Sequence, residues 1–436
     1  MGSPLLAKTS QTDASIIREV SDADAAPVHT GSLFYGWVIV AVGFIVQGIC
    51  LGTHYISSLL VQPLRLAFQT TNASVLFFSS SAVMFGVAVL SPVWGWLLPK
   101  ITLRKAIAIA IAAVSAGYTG LGFATQLWHI GVLYAVFFST GMALSTLATN
   151  TLINNWFILR RGRALGIAAA GISTVGFIVP PLAGWSLQHW GLQITCFVMG
   201  VGSALLILPV AGLTIDLPEQ KHLHPDGISQ RSVVTHRDDD GPTWSLRDLF
   251  RDRRFWLIVV LGSGCYCVVS VLVINLVSIA TANHFSGEQA ALLVSCVAAC
   301  GVIGKLSFGV LYETMRRRLM VRIPVLCLFV ACLLLITSHG YVSMLIASAA
   351  TGLAMGANAL IPPMLAGQFF GRHTFTLSLG VINPFLTMSL VLILPVFGGL
   401  FDQFGSYQPG LLLLIVLLAI VVIVTPLLPE RASSTH

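Results

Sequence analysis

Twelve long apolar segments constrain the fold of this chain more than any other feature of the sequence. They span residues 35–61, 73–98, 106–125, 128–152, 164–188, 192–214, 255–281, 290–312, 323–338, 341–365, 374–398 and 408–429. A helix needs roughly 20 apolar residues to cross a hydrocarbon core about 30 Å thick, and most of these segments reach that length. Charged residues make up only 9% of the chain, far below an ordinary soluble domain. We predict an all-α membrane protein with twelve transmembrane helices.

The basic residues fall on one side of this pattern. With the N-terminus placed in the cytoplasm, 21 of the 23 Lys and Arg residues lie in segments that face the cytoplasm, and Arg65 and Lys305 are the exceptions. Basic residues are retained on that side during insertion. The bias therefore predicts a multi-pass protein of the cell membrane with both termini cytoplasmic. Residues 1–33 are expected to form a disordered cytoplasmic tail and 430–436 a short one.

An internal repeat relates the two halves of the chain. The run GWLLPKITLRK begins at Gly95 after the second segment, and GVLYETMRRR begins at Gly309 after the eighth, 214 positions later. Leu165-Gly166 recurs as Leu379-Gly380 at the same offset, and so does Pro181 as Pro395. One shared offset predicts two pseudo-symmetric six-helix bundles, residues 34–214 and 254–429, related by an axis along the membrane normal. A cytoplasmic linker, 215–253, would join them and end in a short amphipathic helix.

The two repeated runs resemble the loop motif G-x-L-x-D-R-x-G-x-R-R of the major facilitator superfamily. The matching residues that we take as gating candidates are Gly95, Arg104 and Lys105 in the first copy and Gly309, Glu313 and Arg317 in the second. In that family the acidic residue pairs with a neighbouring helix end and helps to hold the outward-facing state. The resemblance therefore implies a latch at Glu313, whereas Pro99 replaces the acidic residue of the first copy.

Other runs resemble one branch of this superfamily, the oxalate–formate antiporters and monocarboxylate porters. They are Tyr35-Gly36-Trp37, Asn155-Trp156-Phe157 and Pro180-Pro181. The resemblance implies a secondary active transporter, acting as a monomer in the lipid bilayer, that moves a small organic anion such as a monocarboxylate by rocker-switch alternating access. A coupling proton or a counter-anion would accompany the substrate.

Lys305 is the unusual charge in the apolar segments. It lies eight residues before Glu313, about 12 Å deeper along a helix. A cation at that depth costs about 2.5–3.5 kcal/mol on insertion scales unless it meets water or a partner. No Asp or Glu lies in the interior of any segment, so an anionic substrate is the expected partner. The resembled branch also carries a basic residue four positions before the glycine matched by Gly309. The alternative is a lysine that snorkels toward the basic loop.

Four further polar residues are candidates for substrate contacts. His54 has an imidazole whose ordinary pKa lies near neutrality and could carry a proton, and Tyr55 follows it. Asn275 and Asn358 lie on the seventh and tenth segments, which line the central cavity in the resembled family. As an alternative, each of these groups could simply tie neighbouring helices together by hydrogen bonds.

The sequence carries no sign of an enzyme. It has no nucleotide-binding loop, no H-E-x-x-H motif and no Ser/His/Asp arrangement at membrane depth. All eight cysteines lie within apolar segments without paired C-x-x-C motifs, so we expect neither a metal nor another cofactor. No basic and aromatic cluster suggests nucleic acid. Two other functions remain open, which are efflux or facilitated transport of a neutral or amphipathic small molecule and a transporter-like receptor or scaffold.

Overall fold

A computed structural model gives the fold. It describes residues 34–52, 60, 63–70, 75, 77–221, 223–227, 244–337 and 340–429. The predicted tails, 1–33 and 430–436, lie outside the described residues. So do residues 228–243 of the predicted linker.

Twelve apolar helices make up most of the described chain. They are α1 Gly36–Gly52, α2 Phe78–Lys100, α3 Leu103–Gly122, α4 Leu127–Trp156, α5 161–190, α6 192–213, α7 Arg253–Ala282, α8 Gly287–Thr314, α9 Arg317–Thr337, α10 Tyr341–Gly371, α11 His373–Phe404 and α12 Gln408–Val424. Within the described residues α1 and α12 span 17 residues each, fewer than the other helices, and α1 ends in a π-helical turn, Gly48–Gly52. This multi-pass arrangement confirms the predicted fold class.

A glycine separates α5 from α6. The 53 residues of Arg161–Leu213 would form a helix about 80 Å long, far more than a bilayer can accommodate. Gly191 breaks it with a φ of 75°, a left-handed conformation that costs a residue without a Cβ little. Gly405, 214 positions later, has a φ of 65° and ends α11. Both turns therefore place a glycine at positive φ, although the ψ angles of Gly191 and Gly405, −179° and 13°, differ.

Several helix ends differ from those predicted, and one end each of α9, α10 and α11 differs by six residues. α9 begins at Arg317 rather than at residue 323, and α11 continues to Phe404 rather than ending at residue 398. Arginine is a good helix former, and its long stem lets the charge leave the apolar layer while the backbone stays helical. Arg317 and Arg318 donate hydrogen bonds to the carbonyl oxygens of Pro429 and Leu428, at 3.2 and 3.1 Å. These arginines thereby bind the chain that follows α12.

The two bundles meet along two helix pairs, α2 with α11 and α5 with α8. A Cβ built on Gly95 would lie 2.9 Å from the Cα atom of Gly380, and a Cβ built on Gly309 would lie 3.2 Å from the Cα atom of Gly166. Such close backbone approach is possible because glycine has no side chain. The 214-residue offset converts one contact into the other, so the two interfaces are related by the pseudo-symmetry.

We call the end of the molecule that carries these contacts the basic end. It holds Lys100, Arg104 and Lys105 beside the start of α3, and Arg316 between α8 and α9. Both described ends of the chain between the bundles dock there. Trp244 donates its backbone N–H to Thr374 Oγ1 at 3.2 Å, and Leu249 of the short helix Leu246–Arg251 is fully buried.

Candidate functional site

Lys305 lies at the boundary between the bundles. Its position on α8 is fixed by close packing against α10, where a Cβ built on Gly304 would lie 2.6 Å from the carbonyl oxygen of Leu353. The lysine side chain is 3% exposed, and its Nζ atom donates a hydrogen bond to Ser173 Oγ at 2.6 Å. Ser173 belongs to α5 of the other bundle and is 1% exposed. The candidate site is thus shared by both halves of the molecule.

The Lys305 side chain extends away from the basic end. A Cβ built on Gly166 would lie 2.5 Å from the carbonyl oxygen of Lys305, so these two backbones are level with each other. Ser173 lies seven residues further along α5, about 10 Å toward the opposite end. A Cβ built on Gly301, one turn before Lys305, would lie 3.9 Å from Ser173 Oγ. This direction is opposite to the one that snorkelling toward the basic loop requires.

The hydrogen-bonding capacity of this pair is only partly used. Within the described part of the chain, the bond to Ser173 is the one polar contact of Lys305, and no carboxylate lies within ion-pair distance of it. An ammonium group has three N–H donors, and a serine hydroxyl has one O–H donor besides its acceptor capacity. Lys305 and Ser173 therefore retain several donors in a buried place.

The structure describes two of the four other predicted contact residues, Asn275 and Asn358. Asn275 donates its side-chain amide to the carbonyl oxygen of Val271 on its own helix, at 2.9 Å. Asn358 is 6% exposed, and its Oδ1 atom has no hydrogen-bond partner among the described residues. It lies two residues after Gly356, whose backbone packs closely against Lys305. His54 and Tyr55 lie outside the described residues.

Sequence reasoning missed two buried polar residues near the bundle interior. Ser173 carried no signal by itself, because serine is common in transmembrane helices. Its relevant feature is its spacing of two helical turns from Gly166, which keeps it on the face of α5 that meets α8. Gln47 on α1 donates its amide to Asn150 Oδ1 on α4 at 3.3 Å, and both are buried.

An ion pair joins α5 to α8 at the basic end. Glu313 accepts the side-chain Nε–H of Arg163 at 2.8 Å and the backbone N–H of Arg163 at 3.1 Å. Arg163 lies in the first turn of α5, where the exposed N–H groups favour a negative charge. At the 214-residue offset the equivalent positions are Pro99 and Leu377, which cannot form such a pair.

The first loop copy makes contacts of a different kind. The backbone N–H groups of Leu103 and Arg104 donate to the carboxylate of Asp216, at 2.9 and 3.0 Å, and Lys105 N–H donates to Thr102 Oγ1 at 3.4 Å. These bonds satisfy donors at the start of α3 that have no partner within the helix. Asp216 follows α6, and the sequence analysis did not single it out.

Contacts between the bundles concentrate at the basic end. Besides the glycine contacts, Thr151 of α4 and Thr376 of α11 share a hydrogen bond of 2.7 Å between their hydroxyls. Toward the opposite end, no atom of another described element lies within 4 Å of the position that a Cβ would take on Gly184 or on Gly398, its equivalent at the 214-residue offset.

Comparison with known families assigns this architecture. A family model described as Major Facilitator Superfamily matches residues 40–278 and again residues 258–436. The chain belongs to the major facilitator superfamily. This membership confirms the resemblance carried by the two loop motifs, and it places the chain in a superfamily of membrane transporters.

Among superfamily members, the chain is similar to several monocarboxylate transporters. Monocarboxylate transporter 12-B of Danio rerio is 23% identical over 403 residues, covering 86% of this chain and 82% of the relative. Monocarboxylate transporter 12 of Mus musculus is 24% identical over 419 residues, covering 87% of this chain and 82% of the relative. These similarities confirm the predicted resemblance to the monocarboxylate porter branch.

Solved structures of superfamily members share the fold. The proton:xylose symporter XylE matches with a TM-score of 0.75 at 15% identity, covering 91% of this chain and 96% of that chain. The transporter FucP matches with a TM-score of 0.69 at 16% identity, covering 90% of this chain and 99% of that chain. At these identities the likeness concerns the fold, and it agrees with two six-helix bundles.

Proposed function

We propose that this protein is a secondary active transporter of a small organic anion, with a monocarboxylate as the favoured substrate. The observation that carries the proposal is the burial of Lys305 without a carboxylate partner among the described residues. A buried charge without a partner is costly, and a substrate carboxylate that visits the site would remove that cost. The names of the similar monocarboxylate transporters support the same substrate class.

The chemistry of the site favours an acceptor. An ionised carboxylate accepts hydrogen bonds and donates none, which suits a place where the unused groups of Lys305 and Ser173 are donors. Lysine supplies a compact point charge rather than the planar fork of arginine, so it does not enforce two-pronged binding of one carboxylate. Asn358, whose Oδ1 atom has no hydrogen-bond partner among the described residues, would orient the rest of the substrate.

The proposed transport cycle rocks the two bundles, residues 34–214 and 254–429, about this site. The excess of Lys and Arg supports a cell-membrane protein whose basic end, and both termini, face the cytoplasm. The contacts of Gly166 with Gly309 and of Arg163 with Glu313 would then close the cytoplasmic side in this state. Rocking would separate these contacts and open the site inward.

Coupling needs no acidic side chain in the membrane interior. The acidic residues nearest to the apolar layer are Glu288, Glu313 and Asp402, and all three lie near helix ends. Exchange for a counter-anion, a proton on the substrate carboxylate, or a proton carried by His54 would each satisfy this constraint. Exchange and substrate protonation require no titrating side chain in the cavity.

Counterflow in proteoliposomes tests the proposed substrate class. The purified protein is reconstituted, and vesicles preloaded with acetate, lactate or pyruvate are tested for uptake of the labelled acid. The matched control replaces each acid by its neutral amide, which keeps the size and removes the charge. We expect counterflow with at least one acid and none with its amide. Counterflow of the amides at equal rates would support a carrier of neutral compounds and would contradict the proposal.

A further inference from the structure

Ser173 is the one described residue of the N-terminal bundle that forms a hydrogen bond with the Lys305 ammonium. We propose that Ser173 is a second ligand of the transported carboxylate, donating its O–H to one carboxylate oxygen while Lys305 donates to the other. The inference rests on the proposed function and adds a residue from the opposite bundle to the anion site. No motif of the sequence assigns this role to Ser173.

The hydrogen-bond inventory supports two donors acting together. Ser173 Oγ already accepts from Lys305, and it makes no other hydrogen bond within the described residues. Its own proton is therefore available to an acceptor beside the ammonium group. The two heavy atoms are 2.6 Å apart, close to the spacing of the two oxygens of one carboxylate. One carboxylate is therefore of a size to accept hydrogen bonds from both donors.

The depth of the pair suits a carrier with two access routes. Ser173 is level with Gly301, which lies 12 residues before Glu313 and so about 18 Å from the basic end of α8. That depth is near the middle of a hydrocarbon core about 30 Å thick. An anion held there by one group from each bundle lies deeper in the membrane than the contacts at the basic end, so its binding depends on the alignment of the bundles.

The pseudo-symmetry supplies a matched control for this site. At the 214-residue offset, Ser91 on α2 corresponds to Lys305, and Thr387 on α11 corresponds to Ser173. Ser91 Oγ is buried without a hydrogen-bond partner among the described residues, and Thr387 Oγ1 donates to the carbonyl oxygen of Asn383 at 3.0 Å. The pair Ser91 and Thr387 therefore has a hydroxyl equivalent to that of Ser173 but no cation equivalent to Lys305. Loss of the Thr387 hydroxyl should therefore leave anion binding unchanged.

Equilibrium binding of the best transported acid, chosen from acetate, lactate and pyruvate, tests the inference. In Ser173→Ala we expect the Kd of the purified transporter to rise about tenfold or more, because a hydrogen bond to a charged group is lost. Ser173→Thr keeps the hydroxyl and should stay near the wild-type Kd, as should Thr387→Ala. In transport assays, Ser173→Ala should raise KM and leave kcat within about twofold, whereas a purely structural role would lower the melting temperature without changing Kd.

The outcomes separate this inference from the proposed function. If Lys305→Ala abolishes binding while Ser173→Ala binds like the wild type, Ser173 is not a ligand and the anion transporter stands. If Lys305→Ala also binds like the wild type, both proposals are wrong. Should Ser173→Ala fail to fold, Ser173→Cys replaces it, since a thiol is a weak donor. A wild-type Kd for Ser173→Cys would then overturn the inference.

Discussion

Glu313 of α8 accepts two hydrogen bonds from a single residue of α5, Arg163, one from the guanidinium and one from the backbone. The pseudo-symmetric positions, Pro99 and Leu377, hold no such pair. The two interfaces between the bundles are therefore closed differently at the basic end. The α5–α8 interface has an ion pair at a helix start, whereas the α2–α11 interface relies on the Gly95–Gly380 contact.

Removing the charge of Glu313 should loosen the closed state. In Glu313→Gln the backbone bond of Arg163 can remain, but the ion pair is lost. Because Arg163 is about half exposed, solvent screening makes the expected change small, and we expect the inward-open population to rise by a few-fold. The measurement is alkylation of a cysteine introduced at Thr376, which is 5% exposed at the interface between the bundles, by a reagent added from the cytoplasmic side. An unchanged alkylation rate would show that the pair does not hold this state.

A methyl group at Gly166 should obstruct closure of the basic end. A Cβ there would lie 2.5 Å from a backbone oxygen of Lys305, which cannot move without shifting α8. We expect Gly166→Ala to lower transport about tenfold or more while the protein still inserts. Gly184→Ala, on the same helix, would meet no atom of another described element within 4 Å and is the matched control. Equal transport by the two variants would contradict the close-packed interface.

The carboxylate of Asp216 should stabilise the start of α3. Asp216→Ala removes the acceptor of the Leu103 and Arg104 N–H groups, and loss of such a cap costs about 1 kcal/mol. We expect a lower melting temperature of the purified protein with the substrate Kd unchanged. Asp402→Ala, near the end of α11, is a comparison for loss of an acidic residue that forms no described cap. A melting temperature equal to that of the wild type would remove Asp216 from this role.

The sequence predicted the helices better than it predicted the site. Segment hydrophobicity and charge bias are local properties, so they gave the number of helices, and the 214-residue offset gave the two bundles. The partner of Lys305 could not be predicted in this way. Ser173 lies 132 residues away on the other bundle, and their contact depends on how α5 docks against α8. The predicted start of α9 was also wrong. Arg317 and Arg318 are charged and were therefore assigned to a loop, but both lie in the helix and donate hydrogen bonds to carbonyl oxygens of the chain that follows α12.

His54 is the predicted side-chain proton carrier, and its contribution is separable from binding. If it carries the coupled proton, His54→Gln should lose uptake driven by a pH gradient and keep exchange of substrate, since glutamine cannot titrate. Both activities can be measured in the same proteoliposomes, with and without an imposed gradient. Gradient-driven uptake at the wild-type rate in His54→Gln would leave exchange or substrate protonation as the coupling route.

The most direct measurement of the central claim is counterflow of a labelled monocarboxylate by Lys305→Ala beside Lys305→Arg. The alanine variant removes the buried cation, and the arginine variant keeps the charge with a different shape. We predict that counterflow falls to the level of empty vesicles in Lys305→Ala and is partly retained in Lys305→Arg, with both variants present in the membrane at the wild-type amount. Counterflow at the wild-type rate in Lys305→Ala would contradict the claim that Lys305 binds the transported anion.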